Sequence, residues 1–105
     1  MKLEKIEAYS KILEYLIRLH ERKENGTTLY QITKDAFIGT TVQKESRIKE
    51  FLRILVLKNY VSLVTMGDGR EYYNVTQYGI DFYKNKMKEV LGVLYSDQQY
   101  WNNFD

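Results

Sequence analysis

A short stretch beyond the middle of the chain constrains the fold more than any other feature. Two runs rich in β-branched and aromatic residues, 61–66 and 71–75, flank the dipeptide Asp68-Gly69. Asp-Gly between two such runs is a strong short-range signal for a β-hairpin. An isolated two-stranded hairpin is only marginally stable in water. We therefore expect a hairpin over 61–75 that packs on helices, with a short strand near 27–29 as a candidate third partner.

Apolar residues at three- and four-residue spacing predict a long helix at each end of the chain. The first is expected over about 3–23 and ends before Asn25-Gly26. The last begins after a capping residue, Thr76, and is expected over about 77–95. The predicted apolar stripe of the first helix comprises Ile6, Tyr9, Ile12, Leu13, Leu16, Ile17 and His20.

Two further helices are predicted between these. Thr28 can cap the first of them, and a tight turn at Gly39 separates it from the second. The second is expected over about 41–58, capped by Thr40 or Thr41 and ended by an asparagine at position 59. Its predicted buried residues are Ile48, Phe51, Leu52 and Leu55. Two helices joined by a short glycine-containing turn are typical of a helix-turn-helix.

The element order therefore indicates an α+β, mainly helical domain over 1–95, followed by an aromatic tail over 96–105. The chain has 105 residues, no cysteine and one histidine, His20, which excludes disulfides and clustered cysteine or histidine metal sites. No nucleophile with a neighbouring base and no phosphate-binding loop is evident, so we expect neither catalysis nor a cofactor. No apolar run is long enough to span a membrane, and we expect a soluble, cytoplasmic protein without a small-molecule ligand.

Two stretches resemble a known family. Residues 47–55 and 58–61 are similar to the recognition helix and the start of the wing in small winged-helix proteins, and 72–79 are similar to the end of the wing and the first turn of the final helix. The family comprises DNA-binding proteins of archaea, their viruses and plasmids, with MarR-like and PadR-like repressors as more distant relatives. Asn59 stands where the family usually has glycine. The resemblance implies a winged helix-turn-helix fold and a viral or archaeal origin.

The helix predicted over 41–58 carries the residues expected to contact double-stranded DNA, because the second helix of a helix-turn-helix enters the major groove. Gln43 and Arg47 are four residues apart, and their side chains pair bidentately with adenine and guanine. Basic residues outnumber acidic ones by five to two over 40–58, in a chain whose net charge is only +2. The predicted contacts on this helix are Thr41, Gln43, Lys44, Ser46, Arg47 and Arg53. The alternative is a polar, solvated helix face.

Arg70 lies at the predicted hairpin tip. The resemblance implies that it reaches the minor groove or a flanking phosphate, and the alternative is a tip that needs only a soluble residue. The sequence as a whole predicts a sequence-specific DNA-binding transcriptional regulator. The alternative is a winged-helix module for protein–protein assembly that does not bind DNA.

The last predicted helix also indicates a homodimer formed through the first and last helices. Its apolar residues recur at a heptad-like spacing over about two repeats. The predicted interface residues are Ile80, Tyr83, Met87, Val90, Leu91 and Leu94. The alternative is that this stripe covers only the core of its own domain.

Overall fold

A computed structural model describes residues 3–37 and 44–87 of the chain. The elements are ordered as the sequence predicts, with three helices, a hairpin and a final helix. Their bounds are α1 (Leu3–Glu21), α2 (Leu29–Asp35), α3 (Glu45–Leu57), β1 (Val61–Thr65), β2 (Glu71–Val75) and α4 (Gln77–Phe82), and α4 continues into a single π-helical turn (Tyr83–Met87).

Three predicted helix ends are confirmed. The Thr28 hydroxyl accepts a hydrogen bond from the Gln31 backbone N–H, and the Thr76 hydroxyl accepts one from that of Gly79, so both threonines cap their helices. Asn59 has a φ of 65° and ends α3 in the left-handed conformation. The N–H of the next residue, Tyr60, bonds the Leu55 carbonyl, which completes a Schellman motif.

The end of α1 differs from the prediction. The helix stops at Glu21, and Lys23 takes the left-handed conformation at its end, with a φ of 61°. Gly26 also has a positive φ, 84°, but it lies beyond the end of the helix. The backbone N–H of Lys23 bonds the His20 carbonyl and that of Glu24 bonds the Leu19 carbonyl, so the same Schellman motif ends this helix. His20 is exposed at the end of α1 rather than part of its buried stripe.

The start of α3 also differs. The helix begins at Glu45, and its N-cap is Lys44, which has an extended backbone and no side-chain capping bond. The predictions of a helix from about 41 and of a cap at Thr40 or Thr41 are therefore wrong. The run of two threonines and a valine before Gln43 has low helix propensity, whereas the acidic Glu45 suits a first helical turn.

The hairpin is an antiparallel pair with Val61 opposite Val75 at its base and Thr65 opposite Glu71 near its tip. Gly69 has a φ of 88° in the connecting turn, as the Asp68-Gly69 signal predicts. The base is buried and the tip is exposed, so the hairpin projects from the domain. The predicted third partner is present as a single bridge, because Thr27 and Tyr73 exchange both backbone hydrogen bonds.

The core lies between α1, α3 and the base of the hairpin, with Ile32 of α2 and the π-helical turn closing it. The predicted stripe of α3 is confirmed, since all four of its residues are buried. The last helix differs from its prediction, because the α-helix ends at Phe82 and passes into the π-helical turn. Residues 88–95 of that predicted helix lie outside the described residues.

Hydrogen bonds and stacked rings join the start of α4 to the end of α3 beneath the hairpin. The Thr76 hydroxyl donates to the Asn59 carbonyl over 2.7 Å, and the Thr76 backbone N–H donates to the Tyr60 carbonyl over 3.1 Å. The rings of Tyr78 and Phe82 each stack on that of Tyr60, with centroids 5.1 and 4.2 Å apart. These contacts fix the two strand ends, and so they fix the direction in which the hairpin projects.

Candidate nucleic-acid interface

The side of α3 that faces away from the core forms a polar surface with a positive excess. Ile48, Phe51 and Leu52 are buried, whereas the residues on the other side of the helix are exposed. The exposed charged and polar residues from the N-cap of α3 onwards are Lys44, Glu45, Ser46, Arg47, Lys49, Glu50 and Arg53. Because α1 and α2 pack on the opposite side of the helix, this surface is free of contact with them.

Two kinds of position can be distinguished on this surface. Ser46, Glu50 and Arg53 follow one another at spacings of four and three, so they form one row directly opposite the buried stripe. Arg47 lies at the flank of that row. Its guanidinium sits over the Phe51 ring, 5.6 Å from the centroid, and Phe51 packs edge-on against Tyr9 in the core. This cation–π contact holds the guanidinium end of the Arg47 side chain close to the domain.

The hairpin tip carries a local ion pair that the sequence analysis did not identify. Asp68 accepts two hydrogen bonds from Arg70, from its backbone N–H over 3.0 Å and from Nε over 2.6 Å. These bonds lower the pKa of the Asp68 carboxyl, and the bond from the backbone N–H has the larger effect. The carboxylate therefore stays ionised at neutral pH and keeps the Arg70 side chain beside the turn. An aspartate before the turn glycine and an arginine directly after it is the sequence signal for this arrangement.

The hairpin as a whole is neither basic nor strongly polar. Arg70 is its only cation, against the two carboxylates of Asp68 and Glu71. Large apolar side chains are exposed towards the tip, and those with 39 to 50% of their surface accessible are Leu63, Val64 and Met66. Of the paired tyrosines of β2, Tyr73 points into the core, as expected for one of two residues on opposite faces of a strand.

Three solved structures resemble this chain over most of its length. A transcriptional regulator from Clostridium thermocellum matches with a TM-score of 0.67 at 24% identity, over 99% of this chain and 97% of that one. A PadR family transcription regulator from Clostridium difficile matches with a TM-score of 0.63 at 23% identity, over 90% and 97%. A variant of MepR from Staphylococcus aureus, bound to an oligodeoxyribonucleotide, matches with a TM-score of 0.59 at 17% identity, over 97% and 72%.

The fold is a winged helix-turn-helix. The hairpin is its wing, and α2 and α3 form its helix-turn-helix. No protein-family model matches the sequence, and no curated protein matches it either. The matching structures are of transcription regulators rather than enzymes.

The winged-helix domain brings part of the predicted DNA-contacting set together. Lys44, Ser46, Arg47 and Arg53 lie on one exposed helix surface, and Arg70 lies at the end of the wing, about five strand residues or roughly 16 Å from its base. Thr41 and Gln43 lie outside the described residues. The described part of α3 begins at Glu45, so the four-residue pairing of Gln43 with Arg47 on one helical face stays a prediction.

The residues predicted to form the dimer interface fall into two groups. Ile80, Tyr83 and Met87 are buried in the core of their own domain, and the Tyr83 hydroxyl lies 3.3 Å from the Glu14 carboxylate of α1. The other predicted interface residues, Val90, Leu91 and Leu94, lie outside the described residues. In the part of the chain that the structure describes, no cluster of potential metal ligands is found, and no helix is long and apolar enough to cross a membrane.

Proposed function

We propose that this protein is a sequence-specific double-stranded DNA-binding transcriptional regulator that inserts α3 into the major groove. The observation that carries the proposal is the exposed surface of α3. Lys44, Arg47 and Lys49 lie beside its outermost row, and Arg53 stands at the C-terminal end of that row. Cations at the edges of a groove-binding helix suit the phosphates on either side, and phosphate contacts supply much of the affinity for DNA. The proposal includes no catalytic step and no cofactor.

The fold supports this function. The matching structures are those of transcription regulators, and one of them, a MepR variant, is bound to an oligodeoxyribonucleotide. The winged-helix fold leaves α3 free to enter the major groove of DNA. The base preference must come from the side chains of this chain. A cytoplasmic location and the archaeal or viral origin implied by the sequence resemblance are further parts of the proposal.

The wing has a smaller part in this proposal than α3. Arg70 is exposed and is the only wing cation, so it can reach one flanking phosphate or the minor groove. Its pairing with Asp68 places a carboxylate next to the same phosphate, which weakens the attraction. The Arg70→Ala variant should therefore lose less than tenfold in affinity, equally on all sequences.

The exposed apolar side chains of the wing favour a second candidate function. Leu63, Val64 and Met66 suit contact with another protein better than contact with a charged backbone. On this candidate the domain is an assembly module that does not bind DNA. The two candidates differ in whether the chain has any affinity for duplex DNA at low salt.

A duplex-binding titration at several salt concentrations distinguishes them. A protein that contacts about six phosphates should show a slope near −5 in log K against log salt concentration, because bound counterions are released. Fluorescence anisotropy of a labelled random-sequence duplex between 50 and 200 mM salt measures this slope. No detectable binding at 50 mM salt would overturn the DNA-binding proposal and leave the assembly module.

We also propose a homodimer in which Val90, Leu91 and Leu94 supply the apolar contact, since the other predicted interface residues are buried in their own domain. A two-fold dimer would place two copies of α3 about 34 Å apart, on successive turns of the duplex.

The double variant Val90→Glu/Leu94→Glu should sediment as a monomer where the unmodified protein sediments as a dimer. Lys88→Glu, a charge change at a polar position beside them, is the matched control. A monomeric unmodified protein, or a dimeric double variant, contradicts this part of the proposal.

A further inference from the structure

We propose that Glu50 determines the base preference of this protein by accepting a hydrogen bond from the exocyclic amino group of a cytosine in the major groove. The inference rests on the proposed function, because it concerns what α3 reads once it lies in the groove. It identifies a feature of the target duplex, a C·G pair opposite the second turn of α3.

The position of Glu50 is the first argument. It lies in the middle of the outermost row of α3, four residues after Ser46 and three before Arg53. That row is opposite the buried stripe, so it is the part of the helix that penetrates deepest into a groove. The N-terminal half of such a helix contacts the base edges, and Glu50 lies in that half.

The absence of a partner for the carboxylate is the second argument. Arg47 and Arg53 are each three residues from Glu50, a spacing that permits ion pairs on a helix. The Arg47 guanidinium lies over the Phe51 ring instead. Within 3–37 and 44–87, no hydrogen bond or ion pair joins Glu50 to another residue, so its carboxylate is available to an external donor.

The chemistry of the groove then selects the base. Phosphates on both strands repel a carboxylate, and this cost is offset only where a base edge offers a donor. Guanine and thymine present acceptors in the major groove, and adenine presents its amino donor beside the N7 acceptor. Cytosine alone presents an amino donor without an adjacent acceptor on the same base. A carboxylate at this position therefore favours cytosine and disfavours the other three bases.

The test compares Glu50→Gln with Glu45→Gln in a selection from a random duplex library read by sequencing. Both variants remove one negative charge from an exposed position of α3. The two positions are five residues apart, which places them about 140° apart around the helix. Glu45 therefore controls for charge without facing the same bases.

The unmodified protein should prefer cytosine at one position by about 5- to 150-fold, the range that a good base contact provides. Glu50→Gln should move that preference to adenine, the partner of glutamine, and should bind random duplex more tightly. Glu45→Gln should gain affinity for random duplex and keep the cytosine preference.

Three results overturn the inference. If Glu50→Gln keeps every base preference of the unmodified protein, Glu50 does not read a base. If the unmodified protein binds random duplex with a steep salt dependence but has no cytosine preference, DNA binding stands and the role of Glu50 fails. Failure of the unmodified protein to bind any duplex at 50 mM salt overturns the proposed function itself, and the inference with it.

Discussion

The Gly79→Ala variant is expected to lower the melting temperature by about 10 to 20 °C, which corresponds to a loss of about 2 to 3 kcal/mol in a domain of this size. A Cβ atom at this position would lie 2.1 Å from the Tyr60 carbonyl oxygen and 2.9 Å from its carbonyl carbon. Both are backbone atoms, so no side-chain rotation relieves the overlap. The same carbonyl accepts the hydrogen bond of the Thr76 N–H, and any shift of the chain weakens the junction of α3, wing and α4.

Gly67→Ala is the matched control for this experiment. Gly67 lies in the wing turn, and a Cβ atom there would have no neighbour within 4 Å. Its effect on the free energy of unfolding should stay within about 0.5 kcal/mol. Thermal unfolding followed by circular dichroism measures both variants. If the two melt within 2 °C of each other, the close approach of Gly79 to Tyr60 is contradicted.

The charge-reversal variant Lys44→Glu/Arg53→Glu is expected to lose at least about 100-fold in affinity for duplex DNA. Two cation–phosphate contacts, each stabilising by about 1.5 kcal/mol or more, are replaced by repulsion. The slope of log K against log salt concentration should also fall by about two. Both residues are exposed, and a glutamate at the N-cap suits the positive end of the α3 dipole, so folding should be unaffected.

Lys84→Glu/Lys86→Glu makes the same change in net charge on the exposed side of the π-helical turn, outside α3. It should lower the affinity for DNA less than threefold at 150 mM salt, because distant exposed charges are screened there. Anisotropy titrations of both variants, with melting temperatures as a check on folding, make the comparison. Equal losses for the two variants would mean that net charge, and not the α3 surface, governs binding.

Local signals in the sequence predicted much of the fold. The Asp68-Gly69 turn, the threonine caps at 28 and 76 and the asparagine at 59 each act through hydrogen bonds or backbone conformations within a few residues. Such features depend little on the rest of the chain, and all of them are present. The buried stripe of α3 was predictable for the same reason, because helical periodicity alone places its residues on one side.

Helix boundaries were less predictable, since they depend on competition between neighbouring residues. Glycine at 26 and threonine at 40 or 41 looked like the stronger end signals, yet Lys23 ends α1 and Lys44 precedes α3. The Asp68–Arg70 pair was also missed, because a two-residue spacing across a turn becomes a contact only when the turn closes.

By itself, the sequence determined the order of the elements, the turn of the wing and the concentration of positive charge on one helix. Those properties follow from backbone conformation and periodicity, which act over short distances along the chain. Only the tertiary structure decided which residues of that helix lie outermost. It placed Arg47 against Phe51 and left Glu50 and Arg53 directed away from the core, because α1 and α2 cover the opposite side of α3. It also assigned Ile80, Tyr83 and Met87 to the domain's own core, since burial depends on which surfaces meet and not on spacing alone.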